Sequence, residues 1–259
     1  MVTNLSEIPS EYDDILKKND IKIIRVGFDS FVFPDDYRWS LAFYKLCALK
    51  AVTNMSYDYI CYMDSDVYVQ GSFKYVWFEC KQNILMYDIS IGIDESYCKF
   101  YDEIEQFIGH KKLVTHYGGE FFAANKENAI SFSNKCIEVY QKLIKDKYVQ
   151  NAGDEFILSV AALDFKTRIK NAGLFVFRFW TGSSFRFICS VYKMCPVVVL
   201  HVPAEKERGM IKVYEKFIKQ GKLPSDKSAW KMFRISKLSP WEYGKHCVAT
   251  ILRRIRTKR

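Results

Sequence analysis

The sequence contains no uninterrupted run of 18 apolar residues, which excludes a membrane-spanning helix. It contains no Cys-x-x-Cys pair either, and its eight cysteines are scattered, several of them inside apolar runs. We therefore expect free thiols in a reducing compartment rather than a disulfide framework. A secretory signal, an internal repeat and a low-complexity segment are also absent from the sequence. The pattern is that of a globular, cytoplasmic protein.

Composition and charge narrow the possible classes of protein and of binding partner further. With 259 residues, 49% of them hydrophobic, the chain can bury the core of a full α/β domain. The formal charge of +9 suits an anionic partner, which can be a nucleic acid, a nucleotide-activated substrate or an anionic membrane.

The cationic excess is concentrated near the end of the chain. From Lys245 onward there are six Lys or Arg residues and no acid, and Val248, Ile251, Leu252 and Ile255 fall on one helical face. A basic amphipathic helix is typical of membrane-surface binding. A solvated terminal helix explains the same pattern equally well.

Strand-like and helix-like segments alternate along the chain, which predicts an α/β sheet with mostly parallel strand order. The acidic and aromatic stretch 94–110 fits neither pattern clearly. The predicted strands are residues 21–26, 59–63, 67–69, 84–93, 120–124, 175–179 and 196–202, and the predicted helices are residues 3–18, 38–52, 126–147 and 154–163.

Asp64-Ser65-Asp66 is the most informative motif. It follows the apolar run 59–63, which reads as a buried strand, and it precedes the β-prone run 67–69. Two carboxylates one residue apart at a strand end can hold a hard divalent cation, and such a cation can clamp a diphosphate. Turn chemistry after a strand is the simpler explanation of an isolated Asp-x-Asp.

A second candidate lies at the end of another predicted strand. His201 closes the run 196–202 and can supply a nitrogen ligand to the same cation as Asp66. Lys206 and Arg208 lie in the charged loop that follows, and their side chains could reach phosphate oxygens. A lone histidine in an ordinary hydrogen-bonded loop position is the alternative.

Three further groups of residues have both a structural and a functional interpretation. Arg38 and Lys45 share one face of a buried helix, so they need either a salt bridge or a diphosphate. Asp154-Glu155 opens a helix, where carboxylates cap the N-terminus or point into a cleft as a base or a sugar anchor. Gly118-Gly119 forms a turn or permits a close backbone approach to a ligand.

Taken together, these motifs resemble the GT-A glycosyltransferases, and in particular the bacterial transferases that build lipopolysaccharide, O-antigen or capsular chains. The resemblance covers residues 20–210, and its pieces appear in the family's order. They are Phe43-Tyr44-Lys45-Leu46, the run 57–67 that ends in Asp64-Ser65-Asp66-Val67, Tyr117-Gly118-Gly119-Glu120-Phe121-Phe122, Gly153-Asp154-Glu155-Phe156, and His201 with its basic loop.

The resemblance implies a GT-A-like, mixed but mostly parallel sheet flanked by helices, and a role for each matching residue. Asp66 and His201, with Asp64, would ligate Mn²⁺ or Mg²⁺, and Asp64 would alternatively contact the ribose. Glu120 and the two glycines before it would face the donor sugar or the acceptor. The remaining implied roles are donor binding by Arg38, Lys45, Ser65, Lys206 and Arg208, and catalysis or sugar anchoring by Asp154 or Glu155.

The implied activity is transfer of a hexose from a nucleoside-diphosphate sugar to a saccharide or lipid-linked acceptor, at the inner face of the cytoplasmic membrane and with no nucleic acid as partner. Residues 1–210 would form the catalytic domain and residues 211–259 a basic helical extension. The family normally opens with a nucleobase-binding strand, whereas this chain opens with a helix-like segment, so we expect that first strand to be missing.

Two other functions fit parts of the sequence. A haloacid dehalogenase-type phosphatase also places Asp-x-Asp after a strand, but Val67-Tyr68-Val69 lacks the threonine expected there. A basic non-enzymatic protein that binds nucleic acid or membrane would explain the charge alone.

Overall fold

The computed structural model describes residues 1–34, 37, 40–90, 95–179, 197–235, 240–241, 244–245, 247–248, 251 and 255. Arg38, one of the predicted donor-binding residues, lies outside this part of the chain. The chain forms two compact units. Unit 1 comprises Met1–Tyr62 and Lys74–Ala172, and unit 2 comprises Met63–Phe73 and Gly173–Arg259.

Helices and strands alternate through both units. The strands are β1 (Val2–Thr3), β2 (Ile24–Arg25), β3 (Tyr59–Met63), β4 (Val67–Val69), β5 (Ile84–Asp88), β6 (Tyr117–Asn125), β7 (Ile169–Asn171), β8 (Val176–Arg178) and β9 (Val199–His201). The helices are α1 (Ser10–Lys18), α2 (Tyr44–Thr53), α3 (Lys74–Cys80), α4 (Glu95–Ile108), α5 (Lys126–Lys145), α6 (Asp154–Ala162), α7 (Gly209–Gln220) and α8 (Asp226–Met232).

Unit 1 is built on a four-stranded sheet with the order β3-β6-β5-β7. β5 pairs antiparallel with β6 and parallel with β7. β6 is buried along nearly its whole length, including Glu120 in its middle, and its apolar residues lie in the run 121–124. The short strands β1 and β2 pair parallel in a separate two-stranded sheet.

The helices of unit 1 cover this sheet with regular apolar stripes. In α5 the buried residues recur at intervals of three or four, as at Phe132, Cys136 and Val139. Asn125 caps the helix, because its side chain accepts a hydrogen bond from the backbone N–H of Asn128 at 2.8 Å. α6 is buried on nearly every side, as its apolar sequence requires.

Unit 2 is built on a three-stranded sheet with the order β4-β9-β8. β4 pairs antiparallel with β9, with Val67 opposite His201, while β8 and β9 are parallel. Tyr68 and Leu200 from this sheet join Val213 of α7 and Phe233 in a second hydrophobic core. Each unit therefore has its own sheet and its own core.

Several element boundaries differ from the sequence prediction. The segment predicted as a helix over residues 3–18 divides into the strand Val2–Thr3 and a helix that begins only at Ser10. The unassigned stretch 94–110 contains α4, whose buried residues Phe100, Ile104 and Phe107 follow a helical period. None of the described helices has the length and hydrophobicity that a membrane span requires.

Three of the described cysteines are the buried free thiols that the sequence predicted, whereas Cys98 is exposed. Cys47, Cys80 and Cys136 are buried and free. Burial raises the pKa of Cys80 to about 12, so this thiol stays protonated and unreactive at neutral pH.

Candidate functional site

Three residues of unit 2 form a cluster suited to a metal ion. Asp64 and Asp66 lie between β3 and the start of β4, and His201 ends β9, the antiparallel partner of β4. Nε2 of His201 lies 3.3 Å from Oδ1 of Asp66 and 3.9 Å from Oδ2 of Asp64. One ligand atom from each side chain falls within 4.8 Å of the others. The strand pairing thus brings together residues that are far apart in the sequence.

The environment of Asp66 keeps its carboxylate ionised. The side chain is only 3% exposed, and Oδ2 lies 3.1 Å from Nζ of Lys206. Burial alone would raise the pKa of Asp66, but the hydrogen bonds and positive charge of His201 and Lys206 outweigh burial and hold that pKa well below its usual range.

The cluster fits a hard divalent cation. Among the described residues, Nε2 of His201, at 3.3 Å, lies against the buried Oδ1 of Asp66 without forming a well-aligned hydrogen bond, so this oxygen is available as a ligand atom. Two carboxylates and an imidazole are a donor set suited to Mn²⁺, and Mg²⁺ is commonly held by one or two carboxylates together with substrate phosphates.

Buried contacts of Glu205 and Gly209 hold the loop after β9 in place. Glu205 is fully buried, and its Oε1 accepts a hydrogen bond from Nε of Arg234 at 2.7 Å and forms an ion pair with Nη2 of the same residue at 2.5 Å. A Cβ atom at Gly209 would lie 2.8 Å from the ring of Phe233, so this close approach requires glycine. These contacts fix the backbone on either side of Lys206, while the side chain of Lys206 is 61% exposed.

A second group of charged residues lies in unit 1. Nζ of Lys45, on α2, is 3.0 Å from Oδ2 of Asp154, at the start of α6. The same ammonium donates to the backbone carbonyl of Gly119 at 3.1 Å, and the hydroxyl of Tyr62 donates to that carbonyl as well. The salt bridge predicted as one interpretation of Lys45 is therefore present.

Gly119 is the point on β6 where these side chains meet the backbone. A Cβ atom there would lie 2.0 Å from Oδ2 of Asp154 and 2.7 Å from Nζ of Lys45. The close backbone approach predicted for Gly118-Gly119 is thus made here by two side chains of the protein itself.

Glu155 pairs with His116, which no sequence motif indicates as a site residue. Oε2 of Glu155 lies 2.9 Å from Nε2 of His116, and both side chains are largely buried. His116 precedes β6 in a segment with no motif around it, so the sequence offers no signal for this pair. Only the packing of α6 against β6 brings the two residues together.

The other predicted site residues vary in exposure. Ser65 and Arg208 are exposed, whereas Gly118 and Glu120 are buried within β6. The structure therefore brings Asp64, Asp66, His201 and Lys206 together in unit 2, and Lys45, Gly119 and Asp154 together in unit 1.

Comparison with known proteins shows similarity in structure. No protein-family model matches the sequence, and no curated protein matches it. Among solved structures, an active-site mutant of LgtC is 20% identical, covers 82% of this chain and 79% of its own, and has a TM-score of 0.51. The galactosyltransferase LgtC in complex with donor and acceptor sugar analogues is 19% identical over 82% of this chain and 78% of its own, with a TM-score of 0.47. Mouse xyloside xylosyltransferase 1 is 13% identical over 75% of this chain and 80% of its own, with a TM-score of 0.46.

The fold is the mixed α/β fold of the GT-A glycosyltransferases. The predicted fold class is thereby confirmed, and the Asp64-Asp66-His201 cluster lies where the Asp-x-Asp motif of the sequence predicted a metal site.

Proposed function

We propose that this chain is a metal-dependent glycosyltransferase that moves a hexose from a nucleoside-diphosphate sugar to a saccharide or lipid-linked acceptor. The observation that carries the proposal is the Asp64-Asp66-His201 cluster, in which the ligand atoms lie within 4.8 Å of one another. It occurs in a chain whose fold is shared with glycosyltransferases. Synthesis of a bacterial surface polysaccharide is the process that the sequence motifs favour.

In this proposal the residues of unit 2 bind the diphosphate. Asp64, Asp66 and His201 would hold Mn²⁺ or Mg²⁺, and the bound ion would supply Lewis-acid stabilisation of the negative charge on the leaving nucleoside diphosphate. Lys206 and Arg208 neutralise the remaining phosphate charge, and the exposed ammonium of Lys206 has the reach to do so. Ser65, exposed between the two aspartates, lines the donor site.

The residues of unit 1 act on the sugars. Asp154 or Glu155 anchors a sugar hydroxyl or accepts the proton of the attacking hydroxyl. Lys45 holds the carboxylate of Asp154 in place at 3.0 Å. Gly118, Gly119 and Glu120 complete this part of the site on β6.

The basic C-terminal segment is proposed to attach the enzyme to an anionic membrane, where a lipid-linked acceptor is found. Trp241, Val248, Ile251 and Ile255 are all helical and more than half exposed. Their spacing places them on one face of a helix, and six cations accompany them from Lys245 onward. This would place the enzyme at the inner face of the cytoplasmic membrane.

The test of the catalytic proposal is a panel of nucleotide sugars scored for release of nucleoside diphosphate with Mn²⁺, with Mg²⁺ and with a chelator. We expect turnover with one donor, its loss in the chelator, and its loss in Asp66→Ala. Asp58→Ala is the matched control, because Asp58 is an exposed carboxylate just before β3. Turnover that persists in the chelator, or that Asp66→Ala leaves unchanged, would contradict the metal role.

A further inference from the structure

His116 lies in unit 1 and has no role in the proposed function as stated so far. Its Nε2 lies 2.9 Å from Oε2 of Glu155, and the two side chains are 16% and 23% exposed. A hydrogen bond to an ionised carboxylate is short and stronger than one between neutral groups, and it fixes the direction of the acceptor oxygen. His116 is therefore placed to orient Glu155.

The imidazole of His116 is itself held rigidly. Its ring stacks on Phe100 of α4, with ring centroids 3.7 Å apart and an angle of 12° between the planes. Its backbone N–H donates to Oγ of Ser90 at 3.0 Å, and its carbonyl accepts from the N–H of Ile89 at 2.9 Å. These contacts fix both the plane of the ring and the backbone that carries it.

The same packing fixes Glu155 relative to His116. Phe156, the next residue of α6, is fully buried and contacts Phe100 edge-on, with centroids 6.5 Å apart. Phe100 thus touches both His116 and the residue after Glu155. One turn further along α6, Oγ of Ser159 accepts from the backbone N–H of Tyr117 at 3.0 Å. The start of β6 and the first two turns of α6 are therefore joined at adjacent positions.

We propose that His116 is a positioning residue, which holds the carboxylate of Glu155 correctly oriented to accept a hydrogen bond from a hydroxyl of the donor sugar. A carboxylate that already accepts a hydrogen bond from an imidazole is a weaker base, so this contact favours sugar anchoring over proton abstraction. The inference rests on the proposed function and gives Glu155 one of the two roles left open there.

Two substitutions separate the hydrogen bond of His116 from its packing. His116→Phe keeps a flat ring to stack on Phe100 but removes the donor. His116→Gln removes the ring but places an amide N–H near the position of Nε2. If the hydrogen bond positions Glu155, His116→Phe loses affinity for the nucleotide sugar and His116→Gln retains most of it. If His116 acts only through packing, His116→Phe retains the affinity and His116→Gln loses it.

The readout is affinity, measured by calorimetry with Mn²⁺ for the nucleotide sugar that the panel identifies and for its nucleoside diphosphate. We expect His116→Phe to weaken binding of the nucleotide sugar about tenfold or more, since hydrogen bonds to charged groups have effects of that order. The affinity for the nucleoside diphosphate should be unchanged. His116→Gln should stay within a few-fold of the wild type. Glu155→Gln, which keeps the side-chain volume, provides the same test from the partner's side if His116→Phe does not fold.

A combined His116→Phe, Glu155→Gln protein should lose no more affinity than the stronger of the two single variants, because both disrupt one interaction. The positioning role would be overturned if His116→Phe lost equal affinity for the nucleotide sugar and the nucleoside diphosphate, or if it bound the nucleotide sugar as tightly as the wild type. A wild-type protein that binds no nucleotide sugar would instead overturn the proposed function and this inference with it.

Discussion

At the scale of single residues, Asp66 shows how burial and charge combine at the proposed metal site. A buried carboxylate is costly unless it is paired, and Asp66 lies between His201 at 3.3 Å and Lys206 at 3.1 Å. These partners give the site two positive or potentially positive groups around one buried negative charge. Two predictions follow from that arrangement.

The first concerns pH. The pKa of Asp66 is lower in the folded protein than its unfolded value of about 3.9. Its ionisation therefore contributes stability that is fully present above that unfolded value and is lost as the pH falls through the lower folded pKa. We expect the difference in unfolding free energy between the wild type and Asp66→Asn to be constant from neutral to mildly acid pH and to shrink only at strongly acid pH. Urea unfolding of both proteins across that range measures it, and a difference that vanishes near neutrality would contradict the expectation.

The second concerns Lys206, whose ammonium lies against the carboxylate that a metal ion would use. The ammonium of Lys206 and a metal ion bound by the same carboxylate repel each other. Lys206→Met should therefore bind Mn²⁺ alone more tightly, by about tenfold. The same variant should bind nucleoside diphosphate with Mn²⁺ more weakly, because a phosphate-neutralising charge is lost. Calorimetry of both ligands tests the opposite signs. Arg208→Met, in the same loop, is the control and should leave the affinity for Mn²⁺ alone unchanged.

At the scale of elements, β6 illustrates how a backbone accommodates side chains from elsewhere. Ala at position 119 would place its Cβ 2.0 Å from Asp154 and 2.7 Å from Lys45. We expect Gly119→Ala to separate that ion pair and to lower the free energy of unfolding by about 1–3 kcal/mol, as overpacking commonly does. Gly27→Ala is the matched control in unit 1, since its Cβ would meet only ordinary contacts at 3.5 Å or more. If the two variants have the same free energy of unfolding, the ion pair separates without destabilising the protein.

The start of α5 depends on a single cap. Asn125→Ala removes the side-chain oxygen that accepts from the N–H of Asn128, and it should lower the free energy of unfolding by about 1 kcal/mol. Asn125→Asp retains that acceptor and should recover most of the loss. Chemical denaturation of the three proteins compares them directly, and an aspartate variant as unstable as the alanine variant would assign the effect to the bond that Asn125 also donates to the carbonyl of Lys81.

The elements also show which parts of the fold the sequence could predict. The strand 59–63 was predictable because it is a short continuous apolar run. The helix beginning at Lys126 was predictable from its helical apolar period and clear end signals. The stretch that forms α4 was not assigned, although Phe100, Ile104 and Phe107 have helical spacing, because acidic and aromatic residues between them obscure the pattern.

The candidate site divides in the same way. Asp64, Asp66 and His201 each stand at the end of a predicted strand, so strand pairing could be expected to gather them. His116 and Arg234 have no such local signal. Their partners, Glu155 and Glu205, are distant in sequence, and only tertiary packing decides that these pairs form.

At the scale of the whole molecule, the charge distribution is the main feature that remains to be explained. The formal charge is +9, and the six cations from Lys245 onward account for most of this excess. Such a charge attracts any polyanion, so it cannot by itself distinguish a membrane from a nucleic acid. The exposed apolar residues on the same segment are the basis for proposing a membrane, because a bilayer takes up an apolar face and a nucleic acid backbone does not.

The last prediction tests the attachment in the full chain. We expect co-sedimentation with vesicles that contain anionic lipid, and its loss in a chain cut after Tyr243. Binding should weaken as salt rises, since the electrostatic part is screened within a Debye length of roughly 8–10 Å at 0.1–0.15 M ionic strength. A full-length variant with Val248, Ile251 and Ile255 changed to Ser keeps all the cations and should bind clearly less than the wild type. If that variant binds as the wild type does, or if neutral vesicles bind equally, the segment is a solvated terminus. Turnover of a soluble acceptor should survive the cut, because every residue assigned to the site precedes Gly209.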